Sequence, residues 1–379
     1  MSRDICLLAD TLGFMRGGGH FWVYLNWALG LRANGCRVHW LEPIPDGLGD
    51  DELWQRVAVL RTRLGPYGLD ESIAVVGWTR EPPDATQPPR CTAFGEVAAA
   101  SDLLINFTYA MPASVLDRFR RTALVDIDPG LTQLWLAHGQ MHVAPHSLYF
   151  TTGETVGASP SIPDCGLPWI YTPPCVALDA WPVTPTAADT PFTTVSGWYA
   201  DEWVATADGH YCNDKRHGFL PFLDLPRLIR QPLELALNLG DGDAANDERR
   251  SLESRGWRVR QSYDVAGTPA DYQRYIQGSR GEFSAVKPSC VRLQNAWISD
   301  RTLCYLASGK PSIVQHTGPS RFLPTSAGLF RFRTLREAAE MLEAAATDYE
   351  HQSCLARALA EEHFDAAVVT RRVLERALT

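Results

Sequence analysis

Basic residues are in the minority in this sequence of 379 residues, and lysine is nearly absent. Lysine and arginine together number 35 against 44 aspartates and glutamates, which leaves a formal net charge of −9 at pH 7. The only lysines are Lys215, Lys287 and Lys310, a bias more easily explained by GC-rich coding than by folding. A face that binds nucleic acid or an anionic membrane needs an excess of positive charge. The composition therefore argues against both partner classes, and any phosphate site must be local.

Long apolar runs and paired cysteines are also missing. The apolar run in MSRDICLLADTLGF is too short for a signal peptide, and no run reaches membrane length. The nine cysteines are odd in number and form no CxxC pair, which is typical of free thiols in a reducing compartment. Histidines recur at positions 138, 142 and 146, but Pro145 interrupts a helix there and no matching carboxylate or Cys is evident. We expect a cytoplasmic enzyme that binds no metal.

The hydrophobic content is sufficient for two folded cores. Hydrophobic residues make up 45% of the chain and include 12 tryptophans. A chain of this length exceeds the usual size of a single core. The prolines between Pro168 and Pro191 break regular structure, which is typical of a linker between domains. We therefore predict a first domain over 1–185, a second domain over 186–355, and a terminal helix over 356–379.

Short apolar runs alternate with helical patterns in both halves of the chain. The runs Ile5–Ala9, His20–Asn34 and Arg37–Leu41 have the order strand, helix, strand, which favours a parallel sheet with a right-handed crossover. The fold class is thus α/β, with two Rossmann-like layer structures. Further strands are predicted at Ile73–Val76, Leu103–Phe107, Ala123–Ile127, Leu148–Thr151, Phe192–Ser196, Leu233–Leu237, Trp257–Ser262, Phe283–Val286, Ser312–Val314 and Gly328–Phe332. Further helices are predicted at Leu53–Arg63, Ala113–Arg120, Leu335–Tyr349 and Gln352–Leu378.

The segment from Gly281 to Gly318 has the pattern of an anion-binding strand, loop, helix and strand. Its helix opens at Ser299-Asp300-Arg301, where Ser or Asp can cap free backbone N–H groups, and it closes at Gly309. A helix N-terminus carries partial positive charge and faces phosphate groups favourably. Cationic side chains nearby in sequence are Arg280, Lys287 and Arg301. The segment therefore predicts a site for a phosphate or diphosphate.

Several motifs together resemble the GT-B glycosyltransferases, over nearly the whole chain. The motifs are the loop Met15-Arg16-Gly17-Gly18-Gly19-His20, the helix and turn from Leu303 to Pro311, the strand into Gln315-His316-Thr317-Gly318, and the long terminal helix. The runs SRGEFSAVK, SDRTLCYLASGKP and QHTG, with DIDPGLTQLW earlier, are similar to a bacterial branch of that superfamily.

The resemblance implies two facing Rossmann-like domains and a terminal helix that crosses back to the first. It also implies transfer of a sugar from a nucleoside-diphosphate sugar, with a UDP-sugar as the expected donor, without metal or other cofactor. The donor lies on the second domain and the acceptor on the first. We expect a small acceptor such as a nucleoside or an aromatic natural product, in a monomer or homodimer.

The resemblance also assigns donor contacts. The diphosphate is expected beside backbone N–H groups and cations, and the strand end Ser196-Gly197 allows close backbone approach because glycine has no side chain. Trp198 is a candidate for stacking, although a buried core position is the stronger interpretation. The predicted diphosphate contacts are Gly18, Gly19, Ser196, Gly197, Trp198, Lys287, Ser299, Asp300 and Arg301. Nucleobase contacts are expected from Tyr263, Asp264 and Val265, and sugar contacts from Gln315, Thr317 and Gly318.

The acceptor hydroxyl needs a base, for which His20 is the leading candidate. His20 begins the first long helix after three glycines, where the helix dipole favours a neutral imidazole. A packed or capping histidine is the competing interpretation. Asp126 and Asp128, in VDIDPG at a strand end, supply carboxylates that could orient His20 or act as the base, while Asp-Pro-Gly is equally a ready turn.

One departure from the family concerns stereochemistry. Many retaining GT-B enzymes carry a Glu-x7-Glu pair around the donor helix. An alignment on Gly309 puts Cys304 at the second glutamate and Trp297 or its neighbour at the first. Without the pair, the usual ribose contact lacks its glutamate, and Asp300 is the candidate substitute. The sequence therefore favours inversion.

Three other functions compete with glycosyl transfer. A nucleotide-sugar epimerase or hydrolase would keep the fold and need no acceptor. A nicotinamide-dependent oxidoreductase fits poorly, because Arg16-Gly17-Gly18-Gly19 does not give G-x-G-x-x-G and Glu42 is followed at once by Pro43. A nucleotide-binding protein without catalysis is the third alternative.

Overall fold

Strands alternate with helices in the computed structural model, which describes residues 3–77, 91–158, 162–206 and 209–379. The chain divides into two compact units. The first unit comprises Met1–Ala177 and Asp365–Thr379, and the second comprises Leu178–Phe364. The sequence predicted the boundary between the two domains after residue 185, whereas the first stretch of the first unit ends at Ala177. Within the described ranges, no helix combines the length and the apolar character that a membrane span requires.

The first unit is built on a seven-stranded sheet whose strands all run parallel. The strand order is β3-β2-β1-β4-β5-β6-β7. All residues of the middle strand β4, and of the edge strand β3, are buried, as expected for a parallel sheet that helices cover on both faces. The strands are β1 (Asp4–Leu8), β2 (Arg37–Pro43), β3 (Ile73–Val76), β4 (Leu103–Asn106), β5 (Thr122–Asp126), β6 (Leu148–Thr151) and β7 (Trp169–Tyr171).

Helices connect these strands. The helices of this part are α1 (Gly18–Ala33), α2 (Asp50–Leu64), α3 (Phe94–Ala100), α4 (Ala113–Leu116) and α5 (Leu131–Ala137), with a 3-10 turn at Gly65–Tyr67. Most residues of α1 are buried, so this helix is covered by other parts of the first unit rather than exposed at the surface. The sequence prediction missed α3, α5 and β7. The strand β7 lies inside the proline-rich stretch that was predicted to be entirely linker.

The second unit repeats the plan. Its strand order is β12-β11-β8-β13-β14-β16-β15, parallel except for the edge pair β15 and β16. The strands are β8 (Phe192–Gly197), β9 (Trp203–Thr206), β10 (Gly209–Cys212), β11 (Leu233–Asn238), β12 (Arg258–Gln261), β13 (Gly281–Ser284), β14 (Ser312–Gln315), β15 (Ser326–Ala327) and β16 (Leu329–Phe332). Strands β9 and β10 form a separate antiparallel hairpin, which was also missed.

The helices of the second unit cover its sheet and close an apolar core that includes Phe283, Trp257 and Phe332. The helices are α6 (Lys215–Phe219), α7 (Asp243–Ser254), α8 (Ser262–Ala266), α9 (Pro269–Gln277), α10 (Pro288–Leu293), α11 (Asp300–Ala307), α12 (Leu335–Thr347) and α13 (Tyr349–His363), with 3-10 turns at Leu220–Phe222 and Leu225–Arg227. The helix predicted from Ser299 is α11, whose N-cap is Ser299. Gly309 follows it with a φ of +69°, which favours glycine.

The C-terminal part of the chain returns to the first unit. The sequence predicted one helix over Gln352–Leu378, but the structure breaks it after α13, and α14 (Ala366–Leu378) begins anew. The Asp365 side chain causes the new start, because it accepts a hydrogen bond from the Ala367 N–H at 2.9 Å. Helix α14 packs closely on α1, since a Cβ on Gly30 would lie 2.4 Å from the Ala366 carbonyl oxygen.

Both sheets share the strand order of doubly wound nucleotide-binding folds, which confirms the predicted pair of Rossmann-like layers. In such sheets the chain reverses direction between the first and fourth strands, and ligands bind beyond the carboxyl ends of those strands. The reversal lies between β1 and β4 in the first unit and between β8 and β13 in the second. These two edges are where functional side chains are expected.

Candidate functional site

Three cationic side chains surround the carboxyl ends of β8 and β13. Lys215, the first residue of α6, donates from Nζ to the Ala285 carbonyl oxygen at 2.8 Å, directly after β13. Arg301 donates from Nη1 to the Val195 carbonyl oxygen near the end of β8, at 3.1 Å. The charges of Arg301 and Lys287 both act on Lys215. A cationic cluster thus lies at the switch point of the second sheet.

Arg301 is held by the second sheet. Its Nε donates to Glu282 Oε1 at 2.8 Å and its Nη2 donates to Ser284 Oγ at 2.6 Å. The Arg301 side chain is only 12% exposed, and that of Glu282 is completely buried. The helix N-terminus and the sheet are therefore joined by a buried ion pair, which fixes the guanidinium position.

Lys287 is paired as well, because its Nζ lies 2.8 Å from both carboxylate oxygens of Glu202. The two carboxylates neutralise Arg301 and Lys287, so Lys215 supplies the net positive charge of the cluster. Burial, and then the charges of Arg301 and Lys287, lower the pKa of the Lys215 ammonium to about 7. A bound diphosphate would reverse this shift by stabilising the charged form.

The strand end Ser196-Gly197 lies beside the cluster. A Cβ on Gly197 would meet no described atom within 4 Å, which leaves open space for a ligand at the backbone. Trp198 is 1% exposed and donates from Nε1 to Glu248 Oε1 at 2.9 Å. Its ring is therefore part of the core and offers no free face for stacking.

The predicted helix start at Ser299-Asp300 is capped internally. Ser299 Oγ accepts the backbone N–H of Arg301 at 3.3 Å, so that N–H group is already used. Asp300, the first residue of α11, is partly exposed. Because its backbone N–H is used by the cap, Arg301 can contact an anion at this helix end through its guanidinium only.

The predicted sugar contacts fix the loop that precedes α11. Gln315 Oε1 accepts the Val286 N–H at 3.1 Å, and Thr317 Oγ1 donates to the Trp297 carbonyl oxygen at 2.7 Å. Gly318 has a φ of +135°, and a Cβ there would lie 2.5 Å from the Gln294 carbonyl oxygen. The contacts hold a strained loop, since Gln294 has a φ of 53° and the nearby Ala296 one of 55°.

The predicted nucleobase contacts Tyr263, Asp264 and Val265 lie in α8, after β12. Tyr263 is 37% exposed, and its hydroxyl accepts a hydrogen bond from Asn238 Nδ2 at 2.9 Å. Asn238 pairs in register with Gly197. The exposed tyrosine ring therefore lies along the same sheet edge as the open strand end.

In the first unit, His20 lies in the first turn of α1, as predicted. Its Nε2 lies 2.6 Å from the Asp10 carbonyl oxygen, just beyond β1, and 3.2 Å from the Tyr24 hydroxyl. Because a carbonyl only accepts, Nε2 carries the proton and Nδ1 keeps the lone pair. Burial lowers the pKa of His20, partly opposed by the Asp10 carbonyl and carboxylate. The imidazole is therefore neutral at pH 7, as a base requires.

The glycines before His20 leave the start of α1 without a side-chain cap, because Gly17 is the N-cap residue. Gly18 and Gly19 form the first turn, and Gly18 is buried. The backbone N–H groups of this turn retain the partial positive charge of the helix end.

Asp126 is buried at the end of β5 and is fully hydrogen-bonded. Its Oδ1 accepts from Tyr109 and Thr132, and its Oδ2 accepts from Gln133 and Thr151, at 2.8 to 2.9 Å. His20 is not among these partners in the described part of the chain. The carboxylate thus organises the surrounding turn.

Asp128 is exposed, in contrast to the buried Asp126. Its backbone N–H is held by the Tyr109 hydroxyl at 3.2 Å, and its carbonyl oxygen accepts the Thr132 N–H at 3.1 Å. The Asp-Pro-Gly turn predicted from sequence therefore fixes the backbone of Asp128 and leaves its carboxylate at the surface.

Glu42, a buried residue of β2, clamps the loop that carries Asp10. Its Oε2 accepts the backbone N–H groups of Thr11 at 2.7 Å and Leu12 at 3.2 Å. Its Oε1 accepts from Trp40 Nε1 at 2.7 Å and from the Thr11 hydroxyl. Burial raises the pKa of Glu42 to about 7, against the opposing effect of these hydrogen bonds. The loop between β1 and α1 is therefore fixed by one carboxylate.

Replacing Glu42 by glutamine is expected to loosen this loop. A glutamine amide must turn its NH2 group toward donors, and each unsatisfied buried N–H costs about 1–3 kcal/mol. We expect the melting temperature to fall. Glu52→Gln, on the exposed surface of α2, is the matched control and should leave the melting temperature unchanged. An unchanged melting temperature in Glu42→Gln would show that this carboxylate does not hold the loop.

The fold is shared with solved glycosyltransferase structures. Anabaena HepE, in complex with UDP and glucose, superposes with a TM-score of 0.58 at 12% identity, over 99% of each chain. An alpha-glucosyltransferase in complex with UDP-glucose and abasic-site DNA gives 0.61 at 11% identity, over 100% of each chain. A glycosyltransferase from Rickettsia africae gives 0.57 at 10% identity, covering 99% of this chain and 98% of its own.

This chain has the GT-B fold. The fold predicted from the motifs is thereby confirmed. No family model matches the chain. No curated protein matches it either. At these identities the similarity establishes the architecture, so the chemistry must be argued from the residues of this GT-B chain.

Sequence reasoning missed several residues of this GT-B site. Lys215 was named from sequence only as one of the three lysines, yet it supplies the net charge of the cationic cluster. Asp10 follows the first strand and was not considered, although its carbonyl orients His20. Glu282 was not among the predicted site residues, yet it forms the buried partner of Arg301. The scarcity of lysine was the signal in the sequence that could have marked Lys215 as a candidate site residue.

Proposed function

We propose that this chain is a glycosyltransferase that moves a sugar from a nucleoside-diphosphate sugar to a hydroxyl of a small acceptor. The observation that carries the proposal is the Lys215, Arg301 and Lys287 cluster at the switch point of the second sheet in a GT-B chain. UDP-sugar is the favoured donor, since the similar HepE and alpha-glucosyltransferase structures contain UDP or UDP-glucose.

Donor binding is proposed to depend on fixed charge rather than on a metal. The ammonium of Lys215 and the guanidinium of Arg301 stabilise the diphosphate as it departs. The strand end Ser196-Gly197 offers close backbone approach, and Tyr263 offers a ring for the nucleobase. Further donor contacts are proposed at Gly18, Gly19, Lys287, Asp300, Asp264, Val265, Gln315, Thr317 and Gly318.

The base is proposed to be His20, acting through Nδ1. The neutral imidazole removes the proton of the acceptor hydroxyl as the acceptor oxygen bonds to the anomeric carbon of the sugar. The bond between that carbon and the diphosphate breaks, and the nucleoside diphosphate leaves with its electron pair. Of the two carboxylates, exposed Asp128 is proposed to stabilise the imidazolium, while Asp126 organises the turn that carries it. We propose inversion of the anomeric centre, which NMR of the product would establish.

The acceptor is proposed to be a small hydroxylated molecule such as a nucleoside or an aromatic natural product. The alpha-glucosyltransferase structures include complexes with DNA. A net charge of −9 disfavours a polyanionic acceptor for this chain. Competition of duplex DNA against small acceptors would test this choice.

A nucleotide panel tests the donor assignment. We expect UDP to raise the melting temperature more than guanosine, thymidine or adenosine diphosphate does. At 100 times its dissociation constant, a ligand stabilises the folded state by about 2.7 kcal/mol. If no diphosphate shifts the melting temperature, the donor site is wrong. Release of UDP only when an acceptor is present would distinguish transfer from hydrolysis.

The lowered pKa of Lys215 predicts that donor affinity depends on pH. Below about pH 7 the Lys215 side chain is already charged before the donor binds. Above about pH 7 it is mostly neutral, so it must take up a proton when the donor binds. UDP-glucose affinity should therefore fall by up to about tenfold per pH unit above 7. Calorimetry in two buffers of different ionisation enthalpy should show net proton uptake at pH 8.

Replacing Lys215 by methionine should weaken UDP-glucose binding by about 10 to 150-fold, because a charged hydrogen bond contributes about 1.5–3 kcal/mol. The pH dependence should disappear with it. The control is Arg216→Met on the same helix, since Arg216 pairs with Glu248 instead. Equal losses in both variants would contradict the role of Lys215.

A further inference from the structure

Cys212, Asp214 and His217 form a cluster where β10 ends and α6 begins. Their potential ligand atoms all lie within 4.8 Å of one another, and no other such group of three occurs within the described ranges. Cys212 Sγ lies 3.4 Å from Asp214 Oδ2, and His217 Nδ1 lies 2.7 Å from Asp214 Oδ1. The clustering follows from local geometry, because Asp214 is the N-cap of α6 and accepts the His217 N–H at 2.8 Å.

These three side chains supply the donors that zinc prefers. Thiolate sulfur, imidazole nitrogen and carboxylate oxygen bind Zn²⁺ at about 2.0–2.3 Å in a tetrahedral arrangement. Ligand atoms in such a tetrahedron are roughly 3.5 Å apart. The separations of 3.4 Å between Cys212 and Asp214 and of 2.7 Å between Asp214 and His217 lie below this value, and all three ligand atoms lie within 4.8 Å of one another, so small side-chain rotations suffice. One thiolate and one carboxylate also balance the double charge of the ion.

Two of the three ligand residues also border a cavity. A cavity of about 500 Å³ lies between α6 and α7, and its lining includes Asp214 and His217 together with Tyr199, Asp247 and Glu248. Half of the Tyr199 side chain is exposed. The cavity provides room for a fourth ligand, such as water or a small anion.

We propose that Cys212, Asp214 and His217 bind one zinc ion whose fourth coordination position opens to this cavity. Binding replaces two hydrogen bonds within the cluster: the thiol proton of Cys212 leaves, and neutral His217 turns its Nδ1 lone pair to the metal. Asp214 keeps its cap on the His217 N–H through Oδ1 and binds through Oδ2. The ion would fasten the hairpin β9–β10 to the start of α6.

The test uses full-length protein without an affinity tag, stripped of metal and then titrated with Zn²⁺ or Co²⁺. We expect one ion per chain by mass spectrometry of the metal content. Cobalt should give the visible bands of tetrahedral coordination and a thiolate charge-transfer band. Zinc should raise the melting temperature of the wild-type protein and release about one proton per ion from the thiol at neutral pH.

Three variants and two controls make the outcome decisive. Cys212→Ser and His217→Asn should each lose at least tenfold in zinc affinity, and Cys212→Ser should lose the charge-transfer band. Asp214→Asn keeps a helix-capping side chain and should fold while binding zinc more weakly. The exposed residues Cys354 and His210 provide the controls Cys354→Ser and His210→Asn, which should bind normally. Unchanged zinc affinity in Cys212→Ser, or no zinc binding by the wild-type protein, would overturn the proposal.

Discussion

Replacing His20 by glutamine should lower kcat by about 10² to 10⁴, the range that a positioned general base contributes. Glutamine can still donate to the Asp10 carbonyl oxygen, so the helix start should remain in place. Its amide has no basic nitrogen and cannot take up the acceptor proton. Because the proposed donor contacts of Lys215 and Arg301 are in the second unit, UDP-glucose affinity should change by less than twofold.

The pH profile of the wild-type enzyme should identify the same group. Burial lowers the pKa of His20, so the imidazole stays neutral until the pH falls below the ordinary histidine value of about 6.5. We expect kcat, measured at saturating donor, to be level near pH 7 and to fall on the acid side below about 6.5. Tyr24→Phe removes the hydroxyl beside Nε2 and is the control, with an expected change below about threefold. If His20→Gln retains kcat, the base lies elsewhere.

Replacing Arg301 by alanine should cost about 3–5 kcal/mol of unfolding free energy and abolish measurable UDP binding. The stability loss arises because buried Glu282 is left charged without its partner. Urea denaturation followed by fluorescence would measure it. Arg336→Ala, which removes a solvent-exposed cation, should leave both stability and UDP affinity unchanged and is the control.

A double replacement separates the structural role of Arg301 from its role in binding. Glu282→Leu with Arg301→Met removes both charges, and substitution of a buried ion pair by apolar residues is often neutral or stabilising. We expect this protein to regain most of its stability while binding UDP at least tenfold more weakly than the wild type. Recovery of UDP affinity along with stability would show that Arg301 acts only as a structural partner of Glu282.

The fold was accessible from sequence because its strands are buried, continuous apolar runs. Strands β3 and β6 have the predicted ends, and the capping residues Ser299 and Gly309 located α11 correctly. The missed elements lack such signals. Strand β7 lies among prolines, and the break before α14 depends on the single side chain of Asp365.

The site was less accessible because its pairings are distant in sequence. Lys215 contacts the carbonyl of a residue 70 positions away, and Lys287 pairs with Glu202 across 85 positions. A single sequence does not reveal such partners. Local pattern placed His20 at the start of α1, but only the structure shows that Nδ1 keeps the lone pair.

Helix α14 imposes an order on biosynthesis. The ribosome completes the entire second unit before it makes the helix that packs on α1. Until α14 is made, the surface of α1 around Gly30 is therefore uncovered, although the strands of the first unit are already synthesised. We expect a released chain truncated after Phe364 to be cut by protease in the first unit, while the second unit already resists. Late closure by a distant segment therefore leaves apolar surface of the first unit exposed during synthesis, and exposed surface of this kind promotes aggregation.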